Sequence, residues 1–343
     1  MGSITGGDFR VGIARNCIEM DGGRGLFNRG DFAALGQVAG LTYDFIGEAG
    51  PGITPRQTAE YDAIFALQPV VTADSFADDV RLKFLSLSGA GFDTVDIDAC
   101  TRAGVMAANI PDAVAKPVAL AILTFILALS HKLMIKDRLT RAGRWRERID
   151  FMGDGLAGKT VGSIGFGNIA RESFRLLRPL DMVLIANSPR ADPAAAVAEG
   201  VRLVDFETVM RASDFLCINC PLKPDTFHLI DAKALSLMKP TAYLINTSRG
   251  PVVDEQALYT VLKEGRIAGA GLDVFDQEPT PADNPILALD TVIVTPHALC
   301  WTDACFQSIA TKAVEAIVAV GEGRLPRHLI NPAALDHQRW ASS

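Results

Sequence analysis

The stretch KTVGSIGFGNIARESF, Lys159 to Phe174, decides the fold. It reads as an apolar strand, a tight turn of glycines and the start of a helix. Gly165 allows the turn, Gly167 lets backbone approach a pyrophosphate, and Ala170 stands where a third glycine would ease the helix–strand contact. Free N–H groups at the helix start then face the phosphates, so Gly165, Phe166, Gly167, Asn168 and Ile169 form the expected cradle of a dinucleotide. A lone GxGxxG string has many chance occurrences. Here the flanking strand, the helix and a second strand ending near residue 187 supply the context that the motif requires.

Outward from this loop, apolar strand-like runs recur at 160–165, 181–187, 214–219, 242–246, 268–273 and 292–294, with helical stretches between them. That alternation argues for a parallel, doubly wound sheet. Ahead of it, Phe9–Ala14, Ile64–Ala66 and Phe84–Ser88 are short strand candidates of a separate unit. A helix at about 303–320 and the tail LPRHLINP cannot extend the sheet, so they are expected to return to the first unit. The expected division is residues 1–112 with 299–343 as a substrate domain, and 113–298 as an inserted Rossmann domain that binds the dinucleotide. The run Ala113–Leu133 reads as a helix apolar nearly all round, interrupted by Lys116, Pro117 and Thr124. Such a helix must be buried on several sides, in the core or against a second subunit.

Composition narrows the class. With 343 residues the chain is too long for one small core and suits two domains. Its 49% hydrophobic and 21% charged residues are those of a soluble globular enzyme. A net charge of −7 argues against a nucleic-acid surface, and the densest basic stretch, RAGRWRER at 141–148, reads as a solvated arm. The longest apolar run, Val118–Leu129, falls short of the roughly 20 residues that span a bilayer, so no membrane partner is expected. Met1–Arg10 lacks the basic start and apolar stretch of a signal peptide, and Gly6 stands where a myristoylation motif wants Ser or Thr. A cytoplasmic location is the expectation. Cys217 and Cys220 form C-x-x-C on a strand-like run, where residues three apart face opposite ways, and no second pair at zinc spacing exists. No metal is expected.

The end of the second Rossmann strand normally carries an acid that holds the adenosine ribose. This chain has Ala186-Asn187-Ser188-Pro189-Arg190 there. A carboxylate would repel a 2′-phosphate, whereas Ser188 can donate to one and Arg190 can pair with it. NADP is therefore expected over NAD. The plainer alternative makes Ser188 and Arg190 ordinary loop residues, with NAD bound without the usual grip.

Three further strings each follow an apolar run: NTSRG with Arg249, DVFDQEP with Glu278, and TPH with His297. In an open parallel sheet the crevice beyond the carboxyl ends of the strands holds the ligand, so the three residues converge on it. Singly, each has an ordinary reading as a strand-end cap, a loop acid or a buried histidine. Their joint occurrence in this order is what points to hydride transfer.

With these strings the chain resembles the D-2-hydroxyacid dehydrogenase family, which holds glyoxylate/hydroxypyruvate reductases, phosphoglycerate dehydrogenases and D-lactate dehydrogenases. The likeness runs from about Phe84 to Pro332 and includes GAGFDTVDIDA at 89–99, NIPDAVA at 109–115 and NCPLKPDTFHLI at 219–230. It implies a Rossmann domain inserted in a flavodoxin-like domain, and interconversion of a small 2-keto acid with its D-2-hydroxy acid. His297 would be the general acid/base. Glu278 would hold its tautomer and favour its charged form. Arg249 would bind the substrate carboxylate and polarise the carbonyl. Asp273 would meet the nicotinamide carboxamide, with Cys220, Pro221, Thr226, Thr247, Ser248, Arg249 and His297 also lining the cofactor. Backbone at Ala90 and Gly91 would bind the substrate carboxylate from the other domain.

There are departures. Relatives often place small residues and a glycine after the histidine, while this chain reads Ala298-Leu299-Cys300-Trp301. Trp301 would narrow the site or reach a neighbouring pocket. The loop Arg15–Arg29 is long and glycine-rich; Arg15 or Arg24 could grip a distal anion, although a solvated loop explains both. A homodimer is expected from the apolar helix and the arm after it. The competing functional reading is a non-catalytic dinucleotide-sensing regulator on the same fold, against which the acidic charge and the lack of a recruiting extension count.

Overall fold

In a computed structural model, residues 8–18, 25–47, 52–76 and 79–340 are described. Arg24 lies outside them. The chain divides into two compact units, Met1–Val114 with Trp301–Ser343, and Ala115–Cys300.

The first unit holds five parallel strands, β1 (Phe9–Ala14), β2 (Leu41–Ile46), β3 (Ala63–Ala66), β4 (Phe84–Leu87) and β5 (Met106–Ala108). Their order β2-β1-β3-β4-β5 is the flavodoxin-like one. Ile64, Leu85 and Leu87 fill one face. On the other, Phe27 meets Phe65 and Phe306 edge-on, at centroid distances of 5.5 and 5.2 Å. Phe306 belongs to the helix Asp303–Gly321, so the last long helix does return to this unit. The tail beyond it is stitched in by polar contacts. Asn331 Oδ1 accepts from Ala107 N at 2.8 Å, and the Arg339 guanidinium donates to the carbonyls of Val80, Leu82 and Ala103.

The second unit holds seven parallel strands: β6 (Thr160–Ile164), β7 (Val183–Asn187), β8 (Arg202–Leu203), β9 (Phe215–Ile218), β10 (Tyr243–Asn246), β11 (Gly269–Leu272) and β12 (Val292–Val294). The order β12-β11-β10-β9-β6-β7-β8 reverses direction between β6 and β9, which is where such sheets bind ligands. β9, β10 and β11 are buried along their whole length because helices cover both faces. Alternate residues serve two cores. Leu216, Ile218 and Leu244 belong to one, while Phe215, Cys217 and Tyr243 belong to the other.

The C-x-x-C pair is split between those cores, Cys217 in one and Cys220 in the other. The strand ends at Ile218, so Cys220 lies in the loop beyond it rather than on the strand. Burial pushes the Cys217 thiol up to about 12 and that of Cys220 to about 11. Cys17, Cys100 and Cys305 are also buried, and Cys300 alone is partly exposed. Among the described residues no group of His, Cys, Asp and Glu is arranged to hold a metal ion.

The apolar helix spans Pro111–Ser130 against the expected Ala113–Leu133, and by length and composition it could cross a bilayer. Instead Ile122, Phe125, Ile126 and Leu129 pack into the second unit's core. Contact there is close. A side-chain carbon at Gly271 of β11 would stand 2.7 Å from the Phe125 ring, so only glycine lets the helix approach the sheet. Leu120 and Leu127 are exposed on this helix, and so are Leu133, Met134, Trp145, Ile149 and Met152 along the following helix and arm.

Candidate active site

β6 delivers the glycine turn. Gly165 has φ +102, and a side-chain carbon on it would collide with the Asn219 carbonyl at 2.7 Å, so both conformation and space demand glycine. Its N–H donates to Asn187 O at 2.8 Å, which ties the turn to the end of β7. Gly167 is the N-cap of the helix Asn168–Leu177 and offers the first turn no side-chain acceptor. A carbon added at Gly167 would meet nothing within 4 Å. Open space therefore lies before a ten-residue helix whose first N–H groups lack a cap, and a pyrophosphate fits that cradle. Ala170 is buried against the sheet, while Phe166 and Ile169 are half-buried.

At the end of β7, Ser188 is half-buried and Arg190 exposed. The acid closest in sequence, Asp192, caps the helix Pro193–Ala198 by accepting from Ala194 N at 2.9 Å. After β9, Thr226 closes the loop that Cys220 and Pro221 open: its hydroxyl donates to Pro221 O at 2.7 Å and accepts from Lys223 N at 2.8 Å.

Arg249 comes from the loop after β10. Asn246, fully buried at the strand end, shapes that loop. Its amide donates to Arg249 O at 2.9 Å, and its Oδ1 accepts from Ser248 N at 3.0 Å and Ser248 Oγ at 3.1 Å. Arg249 donates a guanidinium N–H to Ser248 O at 2.8 Å, with Thr247 half-buried beside it. Gly250 then packs against the Phe275 peptide so closely that any side-chain carbon would overlap it. This contact brings the β10 loop against the β11 loop.

Glu278 lies in the β11 loop and uses both oxygens. Oε1 accepts from Phe275 N at 3.0 Å, and Oε2 meets His297 Nδ1 at 2.8 Å. Burial pushes its carboxyl up. The His297 hydrogen bond and charge, the Phe275 N–H and the Arg249 charge outweigh that push and hold it below the usual value. His297 follows β12 with φ +52. Arg249, Glu278 and His297 thus share one end of one sheet. Asp273, buried at 3% exposure, directs Oδ1 to Thr295 Oγ1 and to the N–H groups of Ala298 and Leu299. The sequence reading gave Asp273 only a cofactor contact and gave Thr295 and Asn246 no role. A buried Asn or Asp at a strand end was the available signal.

The remaining candidates stand in the first unit. Ala90 and Gly91 follow β4, and Ala90 O accepts from Asn109 Nδ2. Trp301 stands edge-on to Phe306 at 5.5 Å and remains 39% exposed. Arg15 is exposed.

A family model described as D-isomer specific 2-hydroxyacid dehydrogenase, NAD binding domain, matches residues 123–298. The chain is 34% identical over 291 residues to the glyoxylate reductase of Thermococcus litoralis, covering 83% of this chain and 88% of that protein. It is 32% identical over 293 residues to glyoxylate/hydroxypyruvate reductase B of Enterobacter agglomerans, covering 83% and 91%. Among solved structures, an acyclic imino acid reductase in complex with NADPH and D-Arg superposes with a TM-score of 0.80 at 26% identity, over 93% of this chain and 99% of that one.

Proposed function

We propose that this chain, which belongs to the D-isomer specific 2-hydroxyacid dehydrogenase family, uses His297 as general acid/base, Glu278 as its partner and Arg249 as the anchor of the substrate carboxylate. The chain is an NAD(P)-dependent oxidoreductase that interconverts a small 2-keto acid and its D-2-hydroxy acid. When bound, the nicotinamide supplies the hydride that reaches the carbonyl carbon.

The residues of the chain do the rest. With Nδ1 of His297 committed to Glu278, Nε2 is the edge left for the substrate, and it gives a proton to the carbonyl oxygen. Glu278 fixes the orientation of the ring for that transfer. The planar fork of Arg249 suits a carboxylate and draws negative charge toward the carbonyl oxygen. Asp273 takes the carboxamide role in this reading, from a position that its bonds to Thr295, Ala298 and Leu299 fix. The observation that carries the reading is the 2.8 Å contact of His297 and Glu278, with the Arg249 charge acting on the same carboxylate.

Two finer inferences go with it. NADPH is the preferred cofactor, supported by Ser188 and Arg190 at the β7 end and by the use of Asp192 as a helix cap. The protein is a homodimer, supported by the exposed apolar side chains that recur from Leu120 to Met152, which a second copy would cover. Turnover of glyoxylate and hydroxypyruvate with NADPH and NADH tests the catalytic reading. Reduction by the wild-type protein is expected; tight NADPH binding with no turnover of any small 2-keto acid would overturn it.

A further inference from the structure

His297 occupies the left-handed region of backbone conformation, which a side chain makes unfavourable. Glu278 grips the ring through Nδ1 but exerts no hold on the backbone beneath it. That hold comes from elsewhere. Two residues before His297, Thr295 donates its hydroxyl to Asp273 Oδ1 at 2.6 Å. One and two residues after it, the N–H groups of Ala298 and Leu299 donate to the same oxygen at 2.9 and 3.1 Å. Thr295 O also accepts from His297 N at 3.0 Å. A single buried carboxylate oxygen therefore grips the chain on both sides of the histidine.

We propose that Thr295 is a positioning residue of the reaction: its hydroxyl, through Asp273, holds the left-handed turn that aims His297 at Glu278 and at the substrate. The proposal rests on the acid/base role of His297 given above. Its logic is geometric. Without the Thr295 hydroxyl, Asp273 would still hold Ala298 and Leu299, and Thr295 N would still donate to Leu272 O at 2.9 Å, but no side-chain bond would tie the leading side of the turn to Asp273. The strained conformation could then relax toward an ordinary one and carry the imidazole away from Glu278. A displacement of about 1 Å in a catalytic group costs on the order of 10²-fold in rate. The Thr295 bond is the shortest of the three and joins a hydroxyl to a carboxylate, the strong class of hydrogen bond.

Thr295→Val removes the donor and keeps the shape, and Thr295→Ser keeps the donor. The readouts are kcat and KM for the best 2-keto acid, NADPH affinity by fluorescence, melting temperature, and the downfield proton resonance of His297 Nδ1. The Val variant is expected to lose about 10- to 100-fold in kcat while KM and NADPH affinity stay within about threefold. Its Nδ1 resonance should broaden or vanish. The Ser variant should recover both kcat and the resonance. Wild-type kcat with an intact resonance in the Val variant overturns the proposal. So does a loss that Ser fails to restore and that tracks a fall in melting temperature, because that pattern belongs to packing alone. If the wild type reduces no 2-keto acid, the functional reading fails separately, and the resonance in the two variants alone decides the positioning role.

Discussion

Glu278 Oε2 lies 2.8 Å from His297 Nδ1, joining the loops that follow the neighbouring strands β11 and β12. Because the Glu278 carboxyl is held below its usual value, the pair keeps its negative partner down to that lowered value and loses it as pH falls further. His297→Ala should lower kcat by about 10²–10⁴-fold with cofactor binding intact, the usual worth of a positioned acid/base. In Glu278→Gln that titrating carboxyl is gone, so the acid limb it sets on the pH–rate profile should disappear. A pH–rate profile identical to wild type would count against the pairing.

Arg249→Lys keeps a positive charge but loses the bidentate fork. Steady-state kinetics should show KM for the keto acid rising and kcat falling together. Were the change confined to cofactor affinity, Arg249 would not be the carboxylate anchor.

At the end of β7, a charge-assisted contact of Arg190 with a 2′-phosphate is worth about 1.5–3 kcal/mol. That corresponds to roughly a 10- to 100-fold preference for NADPH in kcat/KM. Arg190→Ala should erase most of it and leave NADH kinetics nearly unchanged. Ser188→Asp should reverse the preference through repulsion of the phosphate and a new bond to the ribose hydroxyls. A wild-type protein that prefers NADH refutes this reading of the loop and leaves the dehydrogenase assignment standing.

For the dimer, Trp145→Asp with Ile149→Asp puts two charges among the exposed apolar side chains. Sedimentation at sub-micromolar concentration should show a dimer for the wild type and a monomer for the double variant. A fully active wild-type monomer would exclude the assembly.

Asp112, in the first turn of the Pro111–Ser130 helix, accepts from His328 Nε2 at 2.8 Å. That hydrogen bond, with the charges of His328, Arg327 and Lys312, holds its carboxyl below the ordinary value of 3.8 against a smaller push from burial. The group's folded pKa is depressed, so its contribution is present above the unfolded value and disappears as pH falls through the folded one. Asp112→Asn should melt below wild type at neutral pH, and the gap should close in acid below about pH 3.8. A gap of constant size across that range would show that charge is not its source.

What the sequence made legible follows its physical signals. The buried strands β9, β10 and β11 are continuous apolar runs, and all were read within a residue or two at each end. β2, LTYDFI at the sheet edge, was missed because its exposed side carries Thr and Asp, and β5 and β8 were missed because they are only three and two residues long. Arg249, Glu278 and His297 were legible because each sits in a short string at the end of a strand. The work of Asn246, Gly250 and Thr295 was not, since it consists of contacts between loops that only the assembled sheet brings together. The Arg339 contacts with backbone carbonyls were equally silent, because a lone arginine in a polar tail carries no pattern.

The uneven burial of the six cysteines has a practical reach. Cys17, Cys100, Cys217, Cys220 and Cys305 are enclosed, with thiols raised by burial, so alkylating reagents find little thiolate at any of them. Cys300 is partly exposed, three residues past His297 and next to Leu299, whose N–H is tied to Asp273. A fluorophore or spin label directed at sulfur would therefore collect at one address, on the segment whose posture sets the acid/base. The native chain carries its own attachment point for watching that segment, without engineering the other five thiols away.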